Sequence, residues 1–246
     1  MAQAVFNRYE KKYLMTEEIY RKLRFQIKND MQEDEYGLHT ICNIYYDTPQ
    51  SLLIRRSLEK PVYKEKLRLR SYGIPDLHSD VFLEIKKKYK GIVNKRRIQL
   101  TLEEAYQYLE HGNRPEKKSQ ILNEIDYLLQ IYPLKQGIYL AYDRIALFGR
   151  KDPEFRVTFD KNIRSRRTMM GLENGDFGTK LLPDFYYLME TKILGATPVW
   201  FSRILSELEI YPISFSKYGN IYKKEQGVWN QWERKNIEQT GRREIC

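Results

Sequence analysis

The sequence predicts an α+β fold of antiparallel strands interrupted by helices, and three observations carry that prediction. Segment after segment alternates apolar with polar residues over strand length, as in Val81-Phe82-Leu83-Glu84-Ile85-Lys86-Lys87-Lys88. Between them lie segments with helix caps and apolar residues at helical spacing. Turn signals such as Asp47-Thr48-Pro49 and Gly73-Ile74-Pro75-Asp76 make the strand connections hairpin-like. With no internal repeat, low-complexity segment or evident linker, one domain is the economical reading.

In order, Phe6–Tyr13 alternates as a first strand, with Arg8, Glu10 and Lys12 on one side and Tyr9 and Tyr13 on the other. Thr16 then caps a helix whose first turn carries Glu17 and Glu18, with Ile19, Leu23 and Ile27 forming its buried stripe. Residues 30–37 are polar and read as a loop, Thr40–Tyr46 as a strand, and Leu52–Leu58 as a short helix. Pro61 precedes a basic strand, Lys64-Glu65-Lys66-Leu67-Arg68-Leu69-Arg70. Strands over Val81–Lys88 and Ile92–Leu100 follow; the second contains Lys95, Arg96 and Arg97.

Thr101 with Glu104 is a capping box, and Ser119 opens another helix with Leu122, Ile125 and Leu129 turned inward. Strands over Ile138–Phe148 and Glu154–Asp160 come next, and residues 164–180, basic then glycine-rich, read as a mobile loop. Tyr186–Ile193 is a further strand, Thr197-Pro198 caps a helix with Phe201, Leu205 and Leu208, and Ser214–Tyr222 closes the regular part. Residues 226–246 read as a tail forming a short helix, with Trp229 and Trp232 at helical spacing.

Charge narrows the function. Forty-three Lys and Arg against 33 Asp and Glu leave a net charge of +10, which points to anionic partners. Cys42 and Cys246 make no disulfide framework, and His39, His78 and His111 fall in no metal-ligand spacing. No apolar run approaches the roughly 20 residues of a membrane span. Residues 1–10 lack the apolar core of a signal peptide, so a cytoplasmic protein without a membrane segment is expected.

The basic strand is the sharpest feature. Lys64, Lys66, Arg68 and Arg70 share one face with no acid between them. Neighbours on that face stand roughly 7 Å apart, so their repulsion is about 0.6 kcal/mol per pair in water and about 2.4 kcal/mol at a dielectric of 20. The run costs little if solvated; if it lines a cavity, the cavity wants a polyanion. Other strands repeat the pattern, with Arg144 and Arg156 on polar faces and single acids, Glu10, Glu84 and Glu190, set among bases. Arginine's planar fork suits phosphate, and lone carboxylates among bases suit a metal. From the patterns alone, two architectures stay open: a sheet with a solvated polar side, or a sheet closed into a barrel with a charged bore and helices outside.

A run of motifs adds to this reading. Arg8-Tyr9-Glu10-Lys11-Lys12-Tyr13, Tyr45-Tyr46-Asp47-Thr48-Pro49, Lys66-Leu67-Arg68-Leu69-Arg70, Leu83-Glu84-Ile85-Lys86, Tyr142-Asp143-Arg144, Phe155-Arg156-Val157-Thr158-Phe159-Asp160, Met189-Glu190-Thr191-Lys192 and Ser216-Lys217-Tyr218 occur in this order. Each is weak alone, but together they resemble the VTC-type polyphosphate polymerase domain, a branch of the CYTH/triphosphate tunnel metalloenzymes. The resemblance implies a closed antiparallel eight-stranded β-barrel, a triphosphate tunnel, over residues 1–225. It implies transfer of the ATP γ-phosphate to a growing inorganic polyphosphate chain with release of ADP, and a divalent metal, Mn2+ or Mg2+.

Carried over motif by motif, Arg68, Arg70, Lys86, Arg144 and Arg156 would be catalytic phosphate-binding groups. Lys12, Lys66, Tyr142, Ser216 and Lys217 would contact substrate, and Glu190 and Glu10 would hold the metal. Bland accounts stand beside these. Lys64, Lys66 and Lys88 suit a solvated rim equally well, Glu84 suits a salt bridge, and Tyr9, Tyr13, Tyr45 and Tyr142 suit packing, with Tyr142 sharing the face of Arg144. A tunnel hydrolase of inorganic or nucleoside triphosphate and a non-catalytic polyphosphate-binding module are the rival functions. A nucleic-acid binder fits less well, because the bases alternate within strands and lack stacking aromatics.

Overall fold

The computed structural model describes residues 8–90 and 92–228. Trp229, Trp232 and most of the expected tail helix lie outside the described residues. The chain divides into two compact units, one drawn from residues 8–39, 143–163 and 181–228, the other from 40–142 and 164–180.

The first unit contains β1 (Arg8–Thr16), α1 (Glu17–Ile27) and β2 (Met31–Glu33). Of the strands shared between units, it holds the end of β7 (Lys135–Gly149) and most of β8 (Arg156–Arg166); β10 (Tyr186–Leu194), α5 (Val199–Glu207) and α6 (Lys217–Glu225) complete it. Thr16 caps α1 by accepting from the Ile19 amide, and Glu17 and Glu18 meet the positive end of the helix. Leu23, Ile27 and Phe201 are fully buried against Phe155, Val157, Phe159 and Met189. Each such side chain contributes on the order of 2 kcal/mol of hydrophobic stabilisation. The register Lys12↔Glu190↔Thr158 fixes which polar residues share a face across β1, β10 and β8.

The second unit contains β3 (His39–Asp47), α2 (Leu52–Leu58), β4 (Tyr63–Tyr72), β5 (Asp80–Tyr89), β6 (Ile92–Thr101), α3 (Leu102–His111) and α4 (Gln120–Ile131), with β9 (Thr179–Lys180) and the start of β7. Leu67, Leu69, Leu83 and Ile85 on β4 and β5 are buried with Ala105 and Tyr108 of α3 and Leu122, Ile125 and Leu128 of α4. That packing turns the opposite, basic face of β4 away from the core. The Thr101–Glu104 capping box forms as expected. Buried Asp47 accepts from the amides of Thr48, Leu53 and Ile54, fixing the β3–α2 turn.

Three expectations are corrected. The sheet has ten strands, not eight, and its order β1-β10-β8-β7-β3-β4-β5-β6 is an open path with β2 and β9 added to β7 and β8, so the strand pairing does not close a barrel. The free edge of β1 is taken at Lys12 by Ile213, whose amide donates to the Lys12 carbonyl at 2.7 Å. The other end, β6, is an exposed strand carrying Lys95, Arg96 and Arg97, the charged kind that resists further pairing. Second, the segment 30–37 contains β2, a three-residue strand on β7 that is too short for its period to show in sequence.

Third, residues 164–180 are held in place. Arg166 donates to the carbonyls of Met169, Gly171 and Phe177 and stacks at 3.5 Å on the Tyr139 ring. Arg166, read as a loop cation, is an internal scaffold of this segment. No described helix is long and apolar enough to cross a membrane.

Candidate functional site

Two polar clusters form, one in each unit. In the second unit the row Lys66, Arg68 and Arg70 lies beside Lys86 and Glu84 on β5 and Lys95 on β6, through the registers Lys66↔Lys86↔Lys95 and Arg68↔Glu84. Glu84 is 1% exposed yet ionised, because it serves three cations. Arg68 Nε donates to its Oε2 at 2.5 Å, Lys95 Nζ stands 3.1 Å from Oε1, and Arg70 Nε stands 3.9 Å from Oε2. Burial alone would push its pKa up, but Arg68, Arg70 and Lys95 hold it at about 2.

Arg70 is also anchored from behind. Its Nε donates to Asn43 Oδ1 at 2.9 Å and its Nη2 to the Tyr142 hydroxyl at 3.3 Å, while Asn43 Nδ2 donates to the Leu140 carbonyl. Asn43, Tyr142 and Arg70 are all buried, so the guanidinium is fixed in one orientation. Tyr142 therefore acts on Arg70. Arg68 Nη1 donates to Tyr45 at 3.1 Å. Burial raises the Tyr45 phenol, and the charges of Arg68, Lys66 and Arg70 overcome that and lower it to about 7.

Lys95 is lowered to about 8 by desolvation and the Arg68 charge. Because 41% of its side chain meets solvent, the neighbouring guanidiniums are the firmer cause. Lys86 has no carboxylate partner among the described residues. Lys64, at the end of the row, donates to the Ser57 carbonyl and is lowered by burial and by Lys88, Lys86 and Lys60. Eight cations, Lys64, Lys66, Arg68, Arg70, Lys86, Lys88, Lys95 and Arg97, stand on this face against one acid, Glu84.

In the first unit, Arg144, Asp160, Glu190, Lys12 and Lys217 form a connected network. Arg144 binds Asp160 bidentately at 2.6 and 2.8 Å, and Lys217 Nζ lies 2.6 Å from Asp160 and 3.1 Å from Glu190. Lys12 Nζ lies 3.4 Å from Glu190 and 3.5 Å from Glu10, and donates to the Phe215 carbonyl at 3.0 Å. Burial raises the Glu190 carboxyl, but Lys217, Lys12 and Arg144 more than offset it and hold the group well below the usual range.

Ser216 is the N-cap of α6, accepting from the Gly219 amide, and it places Lys217 at the first helical position. Arg156 shares the face of Thr158 and Asp160, is exposed, and has no ion-pair partner among the described residues.

Among the described residues no three His, Cys, Asp or Glu side chains are grouped to hold a metal ion. Glu10 and Glu190 lie on adjacent strands with the Lys12 ammonium bridging them. One or two carboxylates of this kind fit a hard cation such as Mg2+ or Mn2+ that draws its remaining ligands from phosphate oxygens and water.

Sequence reading missed Asp160, Lys95 and Asn43 as parts of these clusters and left Glu84 open. Asp160 carried a signal, since it shares an alternation face with Arg156. Asn43 carried none, because a lone amide on an apolar strand is not marked by pattern.

The family model described as the VTC domain matches residues 7–225. The chain belongs to the VTC domain family. No curated protein matches it. Among solved structures, a candidate adenylate cyclase from Bacillus halodurans is similar at TM-score 0.54 and 19% identity, covering 84% of this chain and 92% of that one, a likeness of fold. One from Vibrio parahaemolyticus is similar at 0.47 and 14% identity, covering 89% and 99% of the two chains. One from Hippeastrum, described as having a dominant triphosphatase activity, is similar at 0.45 and 16% identity, covering 89% and 87%. In the VTC domain of this chain, the motifs quoted above supply both clusters apart from Lys95 and Asn43.

Proposed function

We propose that this chain is a polyphosphate polymerase that transfers the γ-phosphoryl group of ATP to the end of a growing inorganic polyphosphate chain and releases ADP. Membership of the VTC domain family supports the class. The observation that carries the reading is the fixing of Arg68 and Arg70 on one strand face by Glu84, Asn43 and Tyr142, with Lys66, Lys86 and Lys95 beside them. Such a face supplies what phosphoryl transfer needs most, rigid donors for oxygens that carry charge in the transition state.

In the transfer, a terminal oxygen of the chain attacks the γ-phosphorus and the bond from that phosphorus to the β–γ bridging oxygen breaks. The electron pair leaves on ADP, so no protein nucleophile is required. Arg68, Arg70, Lys66 and Lys86 bind phosphate oxygens, and Glu84 orients the guanidiniums without meeting the substrate. Arg144, Lys12, Lys217 and Arg156 bind phosphates in the other cluster. Ser216 contributes by setting the start of α6, and Glu190 with Glu10 would hold the metal. A divalent cation bound there would neutralise phosphate charge. In this reading residues 1–225 are the catalytic domain, residues 226–246 are an appendage, and the protein works in the cytoplasm.

The test is incubation with ATP and manganese or magnesium, with products resolved on a gel. ADP with a ladder of long polyphosphate is expected. Orthophosphate as the main product reassigns the protein as a hydrolase, and tight triphosphate binding without turnover reassigns it as a binding module.

A further inference from the structure

The polar face of the second unit does not end at its arginines. Two residues beyond Arg70 on β4 the same face carries Tyr72, 51% exposed. Opposite Arg70 on β5 stands Phe82, and Arg97 reaches it from β6. The Arg97 guanidinium carbon lies 4.6 Å from the centroid of the Phe82 ring, and Tyr72 meets the same ring edge-on at 5.7 Å and 79°. Elsewhere this face of β4 and β5 is built of Lys64, Lys66, Arg68, Glu84, Lys86 and Lys88, so two aromatic rings there are out of pattern. Their ring faces offer nothing to a phosphate, whose negative charge an aromatic face repels.

We propose that Tyr72, Phe82 and Arg97 form a nucleobase platform, which binds the base of a nucleoside triphosphate whose phosphates lie on Arg70 and Arg68. The inference rests on the phosphate-binding role assigned above and adds the subsite that distinguishes a nucleotide from bare triphosphate.

Spacing supports it. At ~3.3 Å per residue, Tyr72 stands about 7 Å along the strand from Arg70 and about 13 Å from Arg68. An extended nucleotide separates its base from its β- and γ-phosphates by distances of this order. Chemistry supports it as well. Bases stack on aromatic rings and on guanidinium planes, and an arginine already laid on Phe82 presents its outer plane with little further loss of freedom. The exposed Gln99, paired with Phe82, lies on the same face with a side-chain amide.

The test is calorimetric titration of wild type, Tyr72→Leu and Arg97→Lys with ATP and, separately, inorganic tripolyphosphate, at one ionic strength and with magnesium present. Arg97→Lys keeps the charge and removes the planar stack. Both variants are expected to weaken ATP about five- to tenfold, within the range of one stacked base, and to leave tripolyphosphate within about twofold. Equal weakening of both ligands, or undiminished ATP affinity in the variants, overturns the platform. Failure of wild type to bind tripolyphosphate overturns the phosphate grip and the platform with it. Polyphosphate synthesis by variants with undiminished ATP affinity removes the platform alone and leaves the polymerase reading standing.

Discussion

Arg144 grips Asp160 through two parallel hydrogen bonds, Nε to Oδ1 at 2.6 Å and Nη2 to Oδ2 at 2.8 Å. The carboxylate has no solvent exposure and also serves Lys217, so it is shared by two cations that both approach Glu190 as well. Burial alone would raise its pKa, yet Arg144 and Lys217 hold it low. Asp160→Asn leaves those cations short of a counter-charge and is expected to cost about 3–5 kcal/mol in urea unfolding. Tripolyphosphate supplies the missing negative charge. Added ligand should therefore raise the melting temperature of the variant more than that of wild type. An equal or smaller rise counts against this cluster as a phosphate site.

Acid should destabilise the fold through the same logic in the other unit. Glu84 is depressed from an ordinary carboxylate value to about 2. The unfolded chain binds that proton first, so the stability Glu84 contributes is complete above its unfolded value near 4.5 and is lost as pH falls toward 2. The amount is about 3 kcal/mol. Denaturant midpoints measured between these limits should fall with acid, and Glu84→Gln should flatten the profile while lowering stability at neutral pH.

The alkaline side should reveal Tyr45. Its phenol is lowered to about 7 and the Lys95 ammonium to about 8, so the basic face loses up to two positive units across this range. Both groups shed their protons in the folded chain before they would when unfolded, so stability rises with pH here while phosphate affinity falls. The ratio of tripolyphosphate affinities, wild type to Tyr45→Phe, cancels ionisation of the ligand. It is expected to fall several-fold from pH 6 to pH 9, and a flat ratio removes Tyr45 from the electrostatics of the cluster.

How far the sequence went is visible in β4. Its basic row was legible because alternation at period two places Lys66, Arg68 and Arg70 together whatever they face. The helices were legible for a similar reason: caps such as Thr16, Thr101 and Ser119 are local chemistry. Strand closure was not, because an edge is decided by a partner remote in sequence, here Ile213 on Lys12. Nor was the order within residues 164–180, where Arg166 looks like any loop cation until three carbonyls and two rings converge on it. Asn43 was hidden the same way, since its role is to hold an arginine that sequence shows only as a charge.

Arg70 and Arg156 should separate structure from binding. Arg70→Ala strips donors from buried Asn43 and Tyr142 and removes a cation near Glu84, so it should cost about 1–3 kcal/mol of stability as well as activity. Arg156 is exposed and without an ion-pair partner among the described residues, so Arg156→Ala should change stability by no more than about 0.5 kcal/mol. It should still weaken tripolyphosphate and reduce the salt dependence of binding. Unchanged affinity and salt response in Arg156→Ala would assign that residue to the solvated surface.

Glu190 carries the metal prediction. Its Oε1 receives Lys217 at 3.1 Å and Lys12 at 3.4 Å, while Arg144 approaches Oε2 only to 3.9 Å, which leaves that oxygen the more open to a cation. Glu190→Gln keeps the shape and removes the charge that would attract a divalent ion. It also relieves Lys12 and Lys217 of a counter-charge, which favours an added anion. Metal-free tripolyphosphate binding should therefore be retained or strengthened, while the magnesium or manganese needed for half-maximal turnover rises about tenfold or more. Titrating metal into chelator-treated wild type and variant, by calorimetry and by product gel, measures both. An unchanged metal requirement with weakened tripolyphosphate would make Glu190 a positioning acid for the lysines and take it out of the metal site.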